Sequence, residues 1–346
     1  MYVKKNFSVG SVLAFTGIHI LYLTLWATAI TLLFEFTQFD WLRIPWLPLS
    51  VIGTAVAFYV GFKNNSSYDR LWEARKIWGA IVNSSRMWGA SVRHFVGTTF
   101  ASAPFSRLEV YRVHQRLIHR HIAWLYALRS QLLVPTSWEH MGTQSETYRR
   151  YIEYRKKQFG MGLYADEITE VELTRFLPPQ EVKSLIDFRN TATQIVDRQA
   201  EELKALRDAE LIDDFRHMAL QDLLNDLYTH QGKCERIKKF PFPRQYASTG
   251  LYFVFIFCAL LPFGMVPAFQ DIGPYSVWLA IPFTVIVGWV YITMELVGDY
   301  SENPFEGLGN DIPMLSLCRV IEIDLLEMLR EEEIPGPIEP VNHVLM

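Results

Sequence analysis

The chain has 346 residues with a formal net charge of −4, and half of its residues are hydrophobic, with 14% aromatic and 20% charged. That balance gives no electrostatic footing for a nucleic-acid partner. Cys234, Cys258 and Cys318 lie far apart without CxxC spacing, which excludes a disulfide framework or a zinc site and leaves them as reduced packing residues.

Lys4 and Lys5 precede a first apolar run over residues 11–36, SVLAFTGIHILYLTLWATAITLLFEF, longer than the roughly 20 residues a spanning helix needs. Ala27-Thr28-Ala29 mimics a leader cleavage site, but ITLLF continues the apolar character beyond it, so the run is expected to stay as a span. A second run covers residues 46–62, with Pro48 where a helix first turn tolerates it. The third and fourth cover residues 248–269 and 275–296, and each contains a proline (Pro262, Pro282), which packed membrane helices tolerate.

The 33 lysines and arginines are distributed unevenly: only Lys4, Lys5, Arg43, Arg319 and Arg330 fall outside residues 63–244. The excess of cations in the middle of the chain orients it, together with both termini, toward the cytoplasm. Two short connectors then face outward, the first with only Arg43 and the second, residues 270–274, with no cation.

The second span does not stop where its apolar character stops. The stretch GTAVAFYVGFKNNSSYDRLWEARKIWG, residues 53–79, continues into charged sequence without Pro or paired Gly. At roughly 100° per residue, Thr54, Phe58, Phe62, Asn65 and Asp69 fall within about 80° of one another on one side of such a helix. Gly53, Ala55, Ala57 and Gly61 are small enough for neighbouring helices to approach closely. Copies gathered around an axis with this stripe inward would form an aromatic constriction opening into a polar vestibule. The competing reading turns Phe58 and Phe62 toward lipid or a neighbouring helix.

From residue 64 to 246 apolar residues recur at helical spacing, as in Ile77, Trp78, Ile81, Val82 and Trp88, or Leu203, Leu206 and Leu211 followed by Phe215, Met218, Leu220, Leu224 and Leu227. Breakers fall at Pro104, Pro135, Pro178-Pro179 and residues 240–243. A last amphipathic helix follows a Gly-rich turn and carries Val320, Ile323, Leu326 and Met328 near one face. The fold class is therefore an all-α membrane protein with four spans and a large helical cytoplasmic region. Its parts are residues 1–63 (spans one and two), 64–247 (cytoplasmic helices), 248–297 (spans three and four) and 298–346 (cytoplasmic helix and tail). So small a membrane part requires several subunits to shelter a passage.

His119-Arg120-His121 suggests a metal site, but alternate residues on a helix point apart, and a solvated basic face is expected instead. His19 is expected to make an interhelical hydrogen bond, and Glu295 and Asp299 to sit at the membrane interface or pair with a cation. No nucleophile elbow, phosphate loop or zinc motif is present, so enzyme activity, cofactor and bound metal are not expected.

The run PLSVIGTAVAFYVGFKNNSSYDRLWEARKIWG resembles the same region of bacterial bestrophin homologues, as do LLNDLYTHQGKCERI (223–237), the FPFP that follows, and ENPFEGLGNDIP (302–313). The resemblance covers nearly the whole chain and implies a homopentameric ion channel of the bacterial cell (inner) membrane. In such a channel the second span lines a hydrophobic neck, and cytoplasmic helices continue to a second narrowing, the aperture. Matching landmarks puts the neck on Thr54, Phe58 and Phe62 and the aperture on Met218, and the helix stripe continues from that neck to Asn65 and Asp69 as the vestibule. Thr54 departs from the large apolar residue usual there. Animal members bind calcium through acidic residues after a Pro-Phe pair, whereas here only Glu306 and Asp311 follow, too few for a six-to-eight-oxygen site, so calcium gating is not expected. Phenyl edges carry positive charge and favour anions, chloride above all. An Asp69 ring would favour cations such as sodium, unless Arg70 or Arg75 neutralises it. A secondary transporter is the more distant alternative, disfavoured by the lack of two matching halves.

Overall fold

The computed structural model describes residues 1–37, 40–142, 146–158, 173–273 and 275–346. Parts of the two connectors that join the paired apolar runs (38–39 and 274) and of the middle region (143–145 and 159–172) lie outside the described residues. Ten α-helices of eight or more residues run through the described chain: α1 Val9–Phe36, α2 Trp46–Phe95, α3 Arg107–Leu133, α4 Glu146–Gln158, α5 Pro179–Ile186, α6 Thr191–Asp208, α7 Asp214–Lys239, α8 Arg244–Gln270, α9 Ala280–Asp299 and α10 Met314–Leu329. Four helical segments are long and apolar enough to cross a bilayer: α1, α2, α8 and Ser276–Asp299, which joins a 3₁₀ turn to α9.

The helix ends follow local chemistry. Ser106 and Glu109 form a reciprocal capping box at the start of α3. The Asn190 and Asp213 side chains accept from Thr193 N and Arg216 N to cap α6 and α7. Pro179 opens α5 at a position where its missing N–H costs nothing. α10 stops at Arg330, whose φ of 59° is left-handed. Pro262 and Pro267 lie inside α8.

The chain divides into two compact units, residues 1–3, 71–240 and 304–346 forming one and residues 4–70 and 241–303 the other. In the apolar unit α1, α8 and α9 pack against one another. Leu23, Ile30, Leu49, Val56, Val60, Val254, Phe257 and Leu261 form its core. Gly53 is essential to this packing, because an added Cβ would lie 2.8 Å from the Phe257 ring. Gly61, by contrast, has open space around it. Trp289 on α9 donates to Thr16 on α1 at 2.9 Å, while His19 is only half-buried on α1.

The other unit packs α3 against α6 and α10, and α6 against α7. Its core holds Trp78, Trp88, Trp124 and Tyr126, all essentially inaccessible. His119-Arg120-His121 does not form the solvated face expected. Arg120 is buried against Glu181 and Glu202, His119 lies 2.9 Å from Glu331, and His121 is 1% exposed. Carboxylates distant in sequence converge on this helix, which the tripeptide alone does not reveal. Of the four apolar residues near one face of the last helix, α10 buries Leu326, half-buries Ile323 and Met328 and exposes Val320, and its buried side also takes Met314, Cys318, Ile321, Glu322, Leu325 and Leu329. The buried carboxylate of Glu322 is held by Tyr126, Arg175 and Arg319. All three cysteines are free and buried.

His121 gives this unit a pH dependence. Its Nε2 lies 2.9 Å from Ser85 Oγ, its ring stacks on Trp88, and burial lowers its pKa to about 3. The folded state keeps it neutral while the unfolded chain protonates below 6.5. Its contribution is therefore intact above pH 6.5 and is lost on acidification, at about 1.4 kcal/mol per pH unit. The thermal midpoint of the detergent-solubilised protein should fall between pH 6.5 and 4.5, and His121→Gln should flatten that slope. An identical slope in the variant would assign the acid sensitivity elsewhere.

Candidate functional site

Along α2 the two sides of the helix differ throughout its length. Val56, Val60, Lys63, Ser67, Ala74, Trp78, Ile81, Ser85, Trp88 and Val92 are buried. On the opposite side Thr54, Phe58, Phe62, Asn65, Asp69, Trp72 and Lys76 are exposed. Phe58 and Phe62 are 66% and 68% exposed. Thr54 turns its hydroxyl back to Ser50 O at 2.9 Å, satisfying it within the helix and leaving its methyl group on the stripe. Asn65 Nδ2 lies 3.5 Å from Asp69 Oδ2.

The buried side of α2 carries a polar anchor in the same unit. Lys63 on α2 and Glu295 on α9 form an ion pair, with side chains 1% and 4% exposed. Asn64 donates to Met294 O at 2.9 Å, and Arg70 to Glu302 O at 3.0 Å. Arg244 reaches Glu302 at 3.0 Å. Burial, reinforced by Asp299, pushes the Glu302 carboxyl above the usual range despite Arg244. These bonds pin α2 at the level where its sequence turns from apolar to charged. Glu295 thus takes a cation, one of its two expected roles, and Arg70 is engaged with Glu302.

α7 carries a second exposed stripe. Phe215, Met218, Asp222, Asn225, Thr229, Lys233 and Arg236 are all exposed, and at roughly 100° per residue they fall within about 80° of one another. Met218 and Phe215 are 67% and 87% exposed. The other side of α7 buries Leu220, Leu224, Leu227, Gln231 and Cys234. Such large unpartnered apolar side chains mark a surface that another body or a passage must meet.

The acidic turn before α10 is committed to internal bonds. Glu306 accepts from His140 N at 2.7 Å and lies 2.9 Å from its Nδ1. Asp311 accepts from the backbone N–H groups of Phe305, Gly307 and Ile312 at 2.7–3.0 Å. Burial nevertheless raises the Asp311 pKa. Coordinating calcium would require both carboxylates to give up these partners. Micromolar calcium is expected to leave single-channel open probability unchanged, and a reproducible change would assign this turn a sensor role.

Of the residues singled out in the sequence, Thr54, Phe58, Phe62, Asn65 and Asp69 lie together on the exposed side of α2, and Met218 lies on that of α7. Sequence reasoning did not anticipate the specific Lys63–Glu295 pair, because its partners stand 232 positions apart. The signal available was a lone lysine ending one apolar run and a lone glutamate near the end of another.

Comparison with known proteins places the chain in context. The family model described as Bacterial/Fungal Bestrophin protein matches residues 5–327. The voltage-dependent anion channel-forming protein YneE of Escherichia coli O157:H7 is 27% identical over 335 residues, covering 96% of this chain and 93% of that protein. A voltage-dependent anion channel-forming protein of Mesorhizobium japonicum is 26% identical over 284 residues, covering 82% and 75%. Among solved structures, a bacterial bestrophin homologue from Klebsiella pneumoniae aligns with a TM-score of 0.73 at 21% identity, covering 91% of this chain and 99% of that one.

Proposed function

The chain belongs to the family of bacterial and fungal bestrophins, and on that premise we propose that it is the subunit of a homopentameric anion channel that passes chloride. The α2 helices of neighbouring copies surround an axis with Thr54, Phe58 and Phe62 forming a hydrophobic neck. Asn65 and Asp69 then face a vestibule, and Met218 on α7 forms the aperture. The subunits lie in the cell (inner) membrane with both termini and the middle helices on the cytoplasmic side.

The observation that carries this reading is the uninterrupted exposed side of α2. A helix that faced only water would lack Phe58 and Phe62. Here phenyl rings give way to Asn65 and Asp69 on one continuous side, as a passage leaving the membrane requires. The names of the relatives support anions as the permeant species. Rings of phenyl groups serve as a gate by dewetting, and the edges they present to an ion are positive.

Purified protein in planar bilayers under a KCl gradient tests this. The reversal potential should move toward the chloride Nernst value in single-channel steps. Movement toward the potassium value would sink the anion assignment in favour of the Asp69 ring. Saturable coupled uptake without unitary steps would indicate a transporter.

A further inference from the structure

In the unit that holds α3–α7 and α10, exposed charges of α2 and α7 lie near enough to act on one another. Glu73 on α2 lies within electrostatic reach of Lys233 and Arg236 on α7. Lys76 Nζ stands 2.9 Å from Glu73 Oε2 with its side chain 58% exposed. Three exposed cations therefore act on one carboxylate, and among these four groups two positive charges are in excess per subunit. By position, Lys76 is one to two helical turns beyond Asp69 on the same side of α2. Arg236 is on the same side of α7 as Met218, about 27 Å along the helix from it.

We propose that Lys76, Lys233 and Arg236 form an anion-gathering belt on the vestibule wall, and that this belt offsets Asp69 and Asp222 to set the sign of the ion that passes. The inference rests on the reading that α2 and α7 line the passage, and it adds the residues that determine charge selection. Basic groups on a concave low-dielectric wall focus the potential and raise the local concentration of counter-ions. Small inorganic anions are the ligand class: the side chains are exposed, suited to transient attraction and not to a closed pocket. Glu73 holds Lys76 on the wall without cancelling the other two charges. The belt also explains how a vestibule with an exposed aspartate on each stripe admits anions.

The test is the chloride-to-potassium permeability ratio of full-length protein in planar bilayers. Lys233→Glu combined with Arg236→Glu should lower the ratio about tenfold at low salt. The difference should shrink above about 1 M salt, where the screening length falls to about 3 Å. The charge-conserving pair Lys233→Arg and Arg236→Lys should keep the wild-type ratio, as should Lys204→Glu, which places half of that charge change on α6. If the glutamate pair does not assemble, Lys233→Gln with Arg236→Gln is measured instead and should shift the ratio in the same direction by a smaller factor. Wild-type selectivity reports on the channel reading alone, whereas the shift between variant and wild type reports on the belt. An unchanged ratio in the neutralised or reversed pair, or an equal shift from Lys204→Glu, overturns the proposal.

Discussion

Phe58→Ala is expected to raise chloride conductance or open probability by about threefold to tenfold, because tenfold in rate corresponds to only about 1.4 kcal/mol of barrier. A ring of phenyl groups resists ions by excluding the water that accompanies them. Truncation widens the constriction and admits that water. In the proposed neck Thr54 would supply a smaller and more polar ring on the outer side, which would place the barrier on Phe58 and Phe62. The control is Phe255→Ala on α8, which removes a phenyl group 70% exposed in the subunit. If Phe58 faced acyl chains, the two variants would behave alike. Single-channel recording of both decides the matter, and an unaltered current from Phe58→Ala would remove this residue from the neck.

The largest effect on stability is expected from breaking the Lys63–Glu295 pair. Both side chains are nearly inaccessible, so Lys63→Met leaves an uncompensated carboxylate in a low-dielectric setting, at a cost of about 3–5 kcal/mol. The second oxygen of Glu295 already lacks a hydrogen-bond partner, which leaves little else to receive its charge. Replacing both residues, as in Lys63→Met with Glu295→Met, removes the two desolvation costs together and should restore most of the loss. Denaturant titration of the purified protein in mild detergent measures both. A double variant no better than the single would mean that the pair is solvated when the protein is assembled. Since the pair fixes α2, the single variant should also destabilise the oligomer.

Features set by short-range pattern were legible in the sequence. Four long apolar runs predict four spanning helices, because a bilayer requires about 20 residues whatever the tertiary structure. The side of α2 that carries Thr54, Phe58, Phe62, Asn65 and Asp69 follows from helix geometry alone, and those residues are exposed together. Features that depend on distant partners were not legible. Arg120 and His121 look solvated in sequence, yet Glu181, Glu202 and Ser85 arrive from other helices to bury them. α10 buries Glu322 because Tyr126, Arg175 and Arg319 converge on it, so a periodicity that counts only apolar residues misses part of the buried side. The basic belt is hidden for the same reason: Lys76 and Arg236 are 160 positions apart and look like two ordinary surface charges.

These expectations share one premise, that several copies of the chain place the exposed side of α2 around a common axis. Imaging the membrane-embedded particle by electron cryo-microscopy tests it most directly. The account predicts five subunits in a ring, with the phenyl groups of residues 58 and 62 pointing at the centre. A solitary subunit, or an assembly in which those rings point into the surrounding lipid, would contradict it.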